Sequence, residues 1–230
     1  MSDLYYSASD RADLDEEHDR PPLSFAQEQL WFFERMTPGT TIYNVPLIFR
    51  LRGGLDAGVL GRALTEVVRR HEALRTTFGF ANGSPYQVIA PATPVDIRLD
   101  DLSGIDAGAR DAEAIRLVTQ EVRTPFDLNR GLLVRARLIR IDRADHVFCL
   151  TMHHICTDGW SRGLIVSELS EVYGGLAGGG VPALGELPVQ YADFAVWQRE
   201  WLRGEVLESA LRYWEERLAG LPVLELPTDR

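Results

Sequence analysis

Hydrophobic residues along the chain alternate between a helical period and a strand period, which predicts a mixed order of helices and strands. The first predicted helix follows Ser24, with Gln27 three positions later as in a capping box, and it ends at Thr37-Pro38-Gly39. Alternation over residues 45 to 51 predicts a strand, and Asp56 then caps a long helix. The buried face of that helix is predicted to carry Val59, Leu60, Ala63, Leu64, Val67, Val68, His71 and Leu74.

Turn residues separate the elements that follow. Asn82-Gly83 between two β-rich runs predicts a hairpin, residues 95 to 99 a further strand, and residues 106 to 123 a helix. The runs 132 to 141 and 146 to 154 predict a second hairpin. The later run of this hairpin is apolar at every position of Val147-Phe148-Cys149-Leu150, so it is predicted to be a central strand.

A composition shift marks the end of the first folded unit. A helix predicted over residues 161 to 176 leads into a Gly- and Pro-rich stretch, which is typical of a linker or lobe boundary. We therefore expect residues 22 to 176 to form one lobe, and residues 177 to 230 to form a linker and further helices. Those helices carry Trp197, Trp201, Tyr213 and Trp214.

Charge and composition exclude several classes of protein. The chain has 230 residues, 45% of them hydrophobic, and a net charge of −10, which argues against a nucleic-acid binder. About half of this charge lies in residues 1 to 21, which we predict to be a flexible acidic arm. The arm is interpreted either as a solvated leader or expression remnant, or as an electrostatic docking tail for a partner protein.

The N-terminus, the length of apolar runs and the number of cysteines indicate the cellular compartment and the state of the thiols. No run of about 18 apolar residues occurs and the N-terminus is acidic, so we expect a cytoplasmic protein without a membrane span. Cys149 and Cys156 are too few for a disulfide framework, and we predict that both are plain thiols.

The chemistry of the chain is concentrated where the predicted central strand ends, at His153, His154, Asp158 and Gly159. Neighbouring strand side chains point to opposite faces, which weakens a zinc site built on both histidines. One imidazole could serve proton transfer and the other structure, while Asp158 could hold the loop through an internal cation. A histidine at a strand end is also often a satisfied core group, so spacing alone leaves the function open.

Four sequence motifs, in order, resemble those of condensation domains of nonribosomal peptide synthetases. Residues 152 to 161 resemble the His-His-x-x-x-Asp-Gly motif. The others lie at residues 24 to 31, 70 to 78 and 191 to 197, and the resemblance runs from about residue 22 to the end of the chain. Gln29 stands where the family usually has Arg, and Thr157 where it usually has Ser.

The resemblance implies an α/β (α+β) fold like that of chloramphenicol acetyltransferase. In it a mixed sheet flanked by helices forms one half of a V-shaped domain of two lobes. His154 maps to the catalytic histidine, and the structural residues map to His153, Asp158, Gly159, Arg70 and Arg75. The two arginines have a second interpretation as exposed residues at a helix end. Packing is the expected role of Trp31, Trp160 and Trp197.

The function implied by the resemblance is amide-bond formation between a donor thioester and an acceptor amine. Both substrates would arrive on 4′-phosphopantetheine arms of upstream donor and downstream acceptor carrier domains, with no cofactor or metal bound by the chain itself. If the acidic arm is a docking tail, its partner would be an upstream synthetase subunit. The chain has about half the length of such a domain, so we expect it to be inactive without the C-terminal lobe. The alternatives are an epimerisation domain and a non-catalytic module that docks carrier proteins.

Overall fold

The computed structural model describes residues 20–180 and 184–222. The predicted acidic arm lies outside the described residues except for its last two positions, and Pro182 of the predicted linker also lies outside them. The elements in chain order are α1 (Phe25–Met36), β1 (Asn44–Arg52), α2 (Ala57–Arg70), β2 (Thr76–Ala81), β3 (Ser84–Ile89), β4 (Ile97–Asp101), α3 (Ala107–Val122), β5 (Val134–Asp142), β6 (Asp145–His153), α4 (Gly159–Ala177), α5 (Tyr191–Trp201) and α6 (Glu205–Leu218).

A four-stranded mixed sheet with the order β1-β6-β5-β4 organises the fold. Strand β6 pairs antiparallel with β1 and β5, whereas β4 runs parallel to β5. Strand β6 is therefore central, as its uninterrupted apolar sequence predicted. This arrangement confirms the expected fold class, a mixed sheet flanked by helices.

Helices cover both faces of this sheet. On one face, α2 and α4 pack against Leu138 and Leu150 through a core that contains Val67 and Val172. On the other face, α3 packs against Ile139, the strand neighbour of Leu138. Successive residues of β5 are thus buried on opposite sides, as the alternation of side chains along a strand requires.

Local signals place most element ends as predicted. Ser24 accepts a hydrogen bond from the N–H of Gln27, and the Gln27 side chain accepts from the N–H of Ser24, so the capping box is complete. Asp56 accepts from the N–H of Val59 at the start of α2. The hairpin turn has Asn82 at φ 52° and Gly83 at φ 81°, the two left-handed positions that a type I′ turn needs.

Two predicted elements differ from the structure. Helix α2 ends at Arg70, because His71 is extended (φ −99°, ψ 99°) and a 3₁₀ turn, Glu72–Arg75, follows it. His71 and Leu74 therefore lie beyond the helix rather than on its buried face. The strand expected over residues 95 to 99 is Ile97–Asp101, because Val95 instead donates its N–H to Thr65 Oγ1 on α2.

Both cysteines are free, as predicted; Cys149 is buried and Cys156 is partly buried. Across residues 20–180 and 184–222, no helix combines the length and apolar character needed to cross a bilayer.

Candidate active site

The two histidines lie where β6 ends and a short 3₁₀ turn, His154–Cys156, leads toward α4. The backbone N–H of His153 donates to Leu133 O at 3.0 Å, and that of His154 donates to Tyr43 O at 2.8 Å. These bonds tie the end of the central strand to segments on both of its sides. As predicted for strand neighbours, the side chains diverge, so that His153 is buried and His154 is exposed.

His153 occupies the interior of the lobe and is 2% exposed. Its Nδ1 accepts the N–H of Ile155 at 3.1 Å, which places the proton of the neutral ring on Nε2. The rings of Tyr43 and Phe126 pack beside it. Burial, together with the nearby His154, lowers the pKa of His153 to about 4. These contacts support the structural role predicted for His153.

We expect His153 to make the protein less stable as the pH falls from 7 to 5. In the unfolded chain the imidazole binds a proton near its ordinary pKa of 6.5, whereas the folded state resists protonation down to about 4. The resulting loss is on the order of 2 kcal/mol at pH 5. Urea denaturation at several pH values measures it, with His153→Gln as the comparison. An equal pH dependence in the variant would contradict this assignment.

His154 lines a cleft of about 290 Å³. Its walls are the N-terminal turns of α1, the 3₁₀ turn after α2, the His154 turn, the start of α4 and the segment before α5. The cleft is lined mainly by apolar side chains such as Leu74 and Ile165. His154 is thus a polar group in a largely apolar depression, the kind of environment in which a reacting group can be partly screened from water.

Asp158 does not form the predicted internal ion pair, since no cationic partner contacts it among the described residues. Its extended backbone turns the carboxylate onto the start of α4, where Oδ1 accepts from Ser161 N at 2.7 Å and Ser161 Oγ at 2.6 Å. These bonds lower the pKa of Asp158. Asp158 is therefore an N-cap. Gly159 is the first residue of α4, and a Cβ there would meet only Arg162, at 3.9 Å.

Replacing Asp158 with alanine is expected to destabilise the chain by about 0.5 to 2 kcal/mol, the usual cost of losing an N-cap. Asparagine at this position keeps a capping oxygen, so Asp158→Asn should lower the free energy of unfolding by at most a few tenths of a kcal/mol. Because the folded pKa is lowered, the carboxylate stabilises the fold above its ordinary pKa and loses this effect as the pH falls through the folded value. Urea denaturation at pH 7 compares the variants, and equal losses would argue against capping.

Arg70 and Arg75 are mostly buried, which rules out the interpretation as exposed residues at a helix end. Arg70 donates to Glu168 at 3.1 Å and to the carbonyl of Gly185. Arg75 donates to the carbonyl of Ala90 and to Glu72. Neither arginine lines the cleft. Their contacts join the 3₁₀ turn to neighbouring segments. That the two arginines support the conformation of the site stays a prediction, and these contacts are consistent with it.

Sequence reasoning missed Glu168, although a signal was present. Glu168 lies between Ile165 and Leu169 at the spacing of the buried face of α4, and its side chain is 8% exposed. A charged residue at such a position needs a partner. Glu168 has two, since Arg70 and His71 both bind its carboxylate.

The segment before α5 and Tyr191, the first residue of α5, close one side of the cleft through hydrogen bonds to the residues around it. Tyr191 Oη lies 2.9 Å from Ser24 Oγ. The Gln190 side chain donates to Arg70 O at 3.0 Å and accepts from Glu72 N at 3.2 Å. The C-terminal helices therefore begin in contact with the residues that surround His154.

The tryptophans differ in their packing. Trp31 is buried as predicted, but Trp160 is 87% exposed, and the prediction that it packs is wrong. It lies in the first turn of α4, ahead of the buried positions that begin at Ile165. Trp197 is 53% exposed and stacks on Trp201 with ring centroids 5.4 Å apart.

Metal-ligand residues do not cluster in the part of the chain that the structure describes: no group of three or more His, Cys, Asp or Glu there could hold a metal ion.

Comparison with known proteins identifies the family. A family profile described as Condensation domain matches residues 17–230. The chain is 48% identical over 210 residues to a component of linear gramicidin synthase from Brevibacillus parabrevis, covering 91% of the chain and 4% of that protein. It is 44% identical over 208 residues to a chondramide synthase from Chondromyces crocatus, covering 90% of the chain and 5% of that protein.

Solved structures give the same result. The chain matches the X-domain in a complex of the X-domain and OxyB from teicoplanin biosynthesis with a TM-score of 0.81 and 30% identity, over 92% of this chain and 46% of that one. It matches the SgcC5 protein from Streptomyces globisporus with a TM-score of 0.74 and 35% identity, over 91% of this chain and 48% of that one. The chain thus spans about half of these structures. As its four motifs indicated, the chain belongs to the condensation-domain family.

Proposed function

We propose that the domain to which this chain contributes forms an amide bond between two substrates held on carrier domains. The donor is an acyl or peptidyl thioester and the acceptor is an amino acid with a free amine, each attached to a 4′-phosphopantetheine arm. The observation that carries the proposal is the placement of His154, an exposed imidazole in the cleft at the end of a central strand, beside a buried and neutral His153. The relatives named as synthases of linear gramicidin and chondramide support it.

In this reaction the acceptor amine attacks the carbonyl carbon of the thioester. A C–N bond forms, the C–S bond breaks, and the amine proton passes to the departing thiolate. His154 either accepts that proton or fixes the amine, and imidazole is suited to both roles near neutral pH. Holding the two tethered reactants together in a cleft contributes more to the rate of the reaction than proton transfer does, because the effective concentration of the amine at the thioester is then very high.

The rest of the cleft is expected to come from a C-terminal lobe. The chain covers less than half of each of the two solved structures compared above. Helices α5 and α6 also leave Trp197, Trp201 and Trp214 about half exposed, which is typical of a face that packs against another element. We therefore propose that the chain alone does not form amides, because one side of the cleft would stay open to water.

A non-catalytic docking module is the second candidate, since one structural neighbour is an X-domain solved in complex with another protein, OxyB. The accessible imidazole in the cleft favours catalysis over docking alone. Epimerisation of a carrier-bound residue is a third candidate, because those domains share the His-His-x-x-x-Asp-Gly motif.

The test supplies the complete domain with a donor-loaded and an acceptor-loaded carrier and follows the acceptor carrier by intact-protein mass spectrometry. We expect a mass increase equal to the donor acyl group on the acceptor carrier. Chiral analysis of the products, with D- and L-configured donors offered separately, identifies epimerisation. Binding of both carriers without any mass change would instead support the docking module. The chain alone, with the same carriers, should yield no product.

A further inference from the structure

A cluster of three polar side chains lies beside the cleft, between α4 and the end of α2. Glu168 on α4 accepts from Arg70 Nε at 3.1 Å and lies 2.6 Å from His71 Nε2. All three side chains are largely buried, at 8%, 13% and 16% exposure for Glu168, Arg70 and His71. His71 also lines the cleft, so the cluster reaches the space that His154 occupies.

The contact with Glu168 fixes which nitrogen of His71 carries a proton. Arg70 is a cation and donates to the Glu168 carboxylate. A carboxylate can only accept hydrogen bonds, so His71 Nε2 is the donor in the 2.6 Å contact. In the tautomer with its proton on Nε2, His71 meets the carboxylate as a donor, and Arg70 supplies the charge that balances Glu168. The Nδ1 atom of the ring is then a hydrogen-bond acceptor.

This acceptor is unused within the described part of the chain, where His71 Nδ1 has no hydrogen bond and is not sealed off from solvent. Several other polar side chains that line the cleft are engaged in hydrogen bonds within the described residues, whereas the His154 ring has none and Thr157 Oγ1 is unpartnered but sealed from solvent. Gln27 bonds to Ser24 and Gln87, Tyr191 bonds to Ser24, and Asp158 bonds to Ser161. An N–H group that enters the cleft therefore finds His71 Nδ1 available in a mostly apolar surrounding.

We propose that His71 is a substrate-binding residue of the cleft whose Nδ1 accepts a hydrogen bond from an N–H group of a tethered substrate. Glu168 is its positioning residue, because it holds the ring by Nε2 and fixes the tautomer. This inference rests on the proposed function in that it takes the substrates to be pantetheine-tethered amino acids. Two groups of such a substrate could donate this hydrogen bond: the α-amine of the acceptor and the amides of the pantetheine arm.

Two variants separate the two ring nitrogens of His71. His71→Gln places an amide near the position of Nε2, so it keeps a donor for Glu168 and removes the acceptor. His71→Asn places its carbonyl oxygen near the position of Nδ1, so it keeps an acceptor and gives up the contact with Glu168. A role in substrate binding predicts a larger effect of Gln, whereas a role in stability predicts a larger effect of Asn.

The experiment measures binding to the complete domain by calorimetry with two probes, pantetheine alone and a glycyl-pantetheine analogue whose thioester carbonyl is replaced by a methylene group, which makes it stable and adds no N–H except the amine. Loss of one hydrogen bond should raise Kd about five- to ten-fold in His71→Gln, and clearly less in His71→Asn. Weaker binding of both probes identifies the amides of the arm, and weaker binding of the glycyl probe alone identifies the α-amine. The KM values for the two carriers should follow the same order, with little change in kcat.

The inference is overturned if His71→Gln binds both probes as the wild type does, or if Asn weakens binding more than Gln in step with its loss of thermal stability. Because binding is measured without turnover, the result does not depend on amide formation. His154→Ala in the same preparation tests the proposed function separately: binding sensitive to His71 in a domain that makes no amide would sustain this inference and reject the function.

Discussion

Replacing His154 with alanine in the complete domain is expected to slow amide formation by about 100- to 10,000-fold, the range in which a lost proton-transfer group usually falls. The free energy of unfolding should stay within about 0.5 kcal/mol of the wild type, because His154 is exposed and its fixed contact, to Tyr43 O, comes from its backbone. Single-turnover assays with preloaded carriers measure the rate, and urea denaturation measures the stability.

The neighbouring histidine supplies a matched control. His153→Ala removes a buried ring that packs between Tyr43 and Phe126, so we expect a loss of about 2 to 4 kcal/mol in the free energy of unfolding. The two adjacent histidines would then have separate effects: His154→Ala would lower the rate of amide formation, and His153→Ala would lower the stability of the fold. An unchanged rate in His154→Ala, with carriers fully loaded, would remove His154 from the reaction.

Replacing Glu168 with alanine is expected to destabilise the chain by about 3 to 5 kcal/mol, the usual effect of removing one partner of a buried ion pair. The substitution leaves Arg70 as a mostly buried cation and takes away the bond that holds His71. Glu171→Ala, three residues later on the exposed side of the same helix, is the control and should change stability by less than about 0.5 kcal/mol.

Both variants can be made in the 230-residue chain and followed by urea denaturation at pH 7. A loss below about 1 kcal/mol for Glu168→Ala would show that the cluster contributes little to stability. In that case the positioning role of Glu168 would also lose its structural support.

Signals confined to a few neighbouring residues predicted the fold well. The capping box at Ser24, the Asn82-Gly83 turn and the apolar run of β6 each decide a local conformation by their own sterics and hydrogen bonds. One of the two exceptions, the end of α2 at Arg70, depends on tertiary contacts. Gln190 binds the carbonyl of Arg70, and Glu168 binds the ring of His71. Gln190 and Glu168 are both distant from the end of α2 in the sequence, so a pattern of neighbouring residues could not predict these contacts.

In the candidate site, too, some features follow from neighbouring residues and others depend on tertiary contacts. Strand alternation predicted that His153 and His154 point to opposite faces, but it could not tell which one is buried, since that depends on Tyr43 and Phe126. Asp158 has a local partner, Ser161, that the sequence did display, and the capping pattern was overlooked in favour of an ion pair. His71 and Glu168 lie 97 residues apart, so their contact requires the structure.

The register between β1 and β6 has a consequence for how the chain folds. Asn44 pairs with His153 and Arg52 with Asp145, so the first strand cannot find its partner until about 100 further residues are available. The sheet therefore closes a long loop late, and contacts of such high sequence separation slow folding. On a ribosome, β1 would emerge well before β6 and expose an unpaired edge in the interval. The turn that carries His154 would form only after β1 has paired with β6, which makes the candidate site one of the last parts of the sheet region to fold.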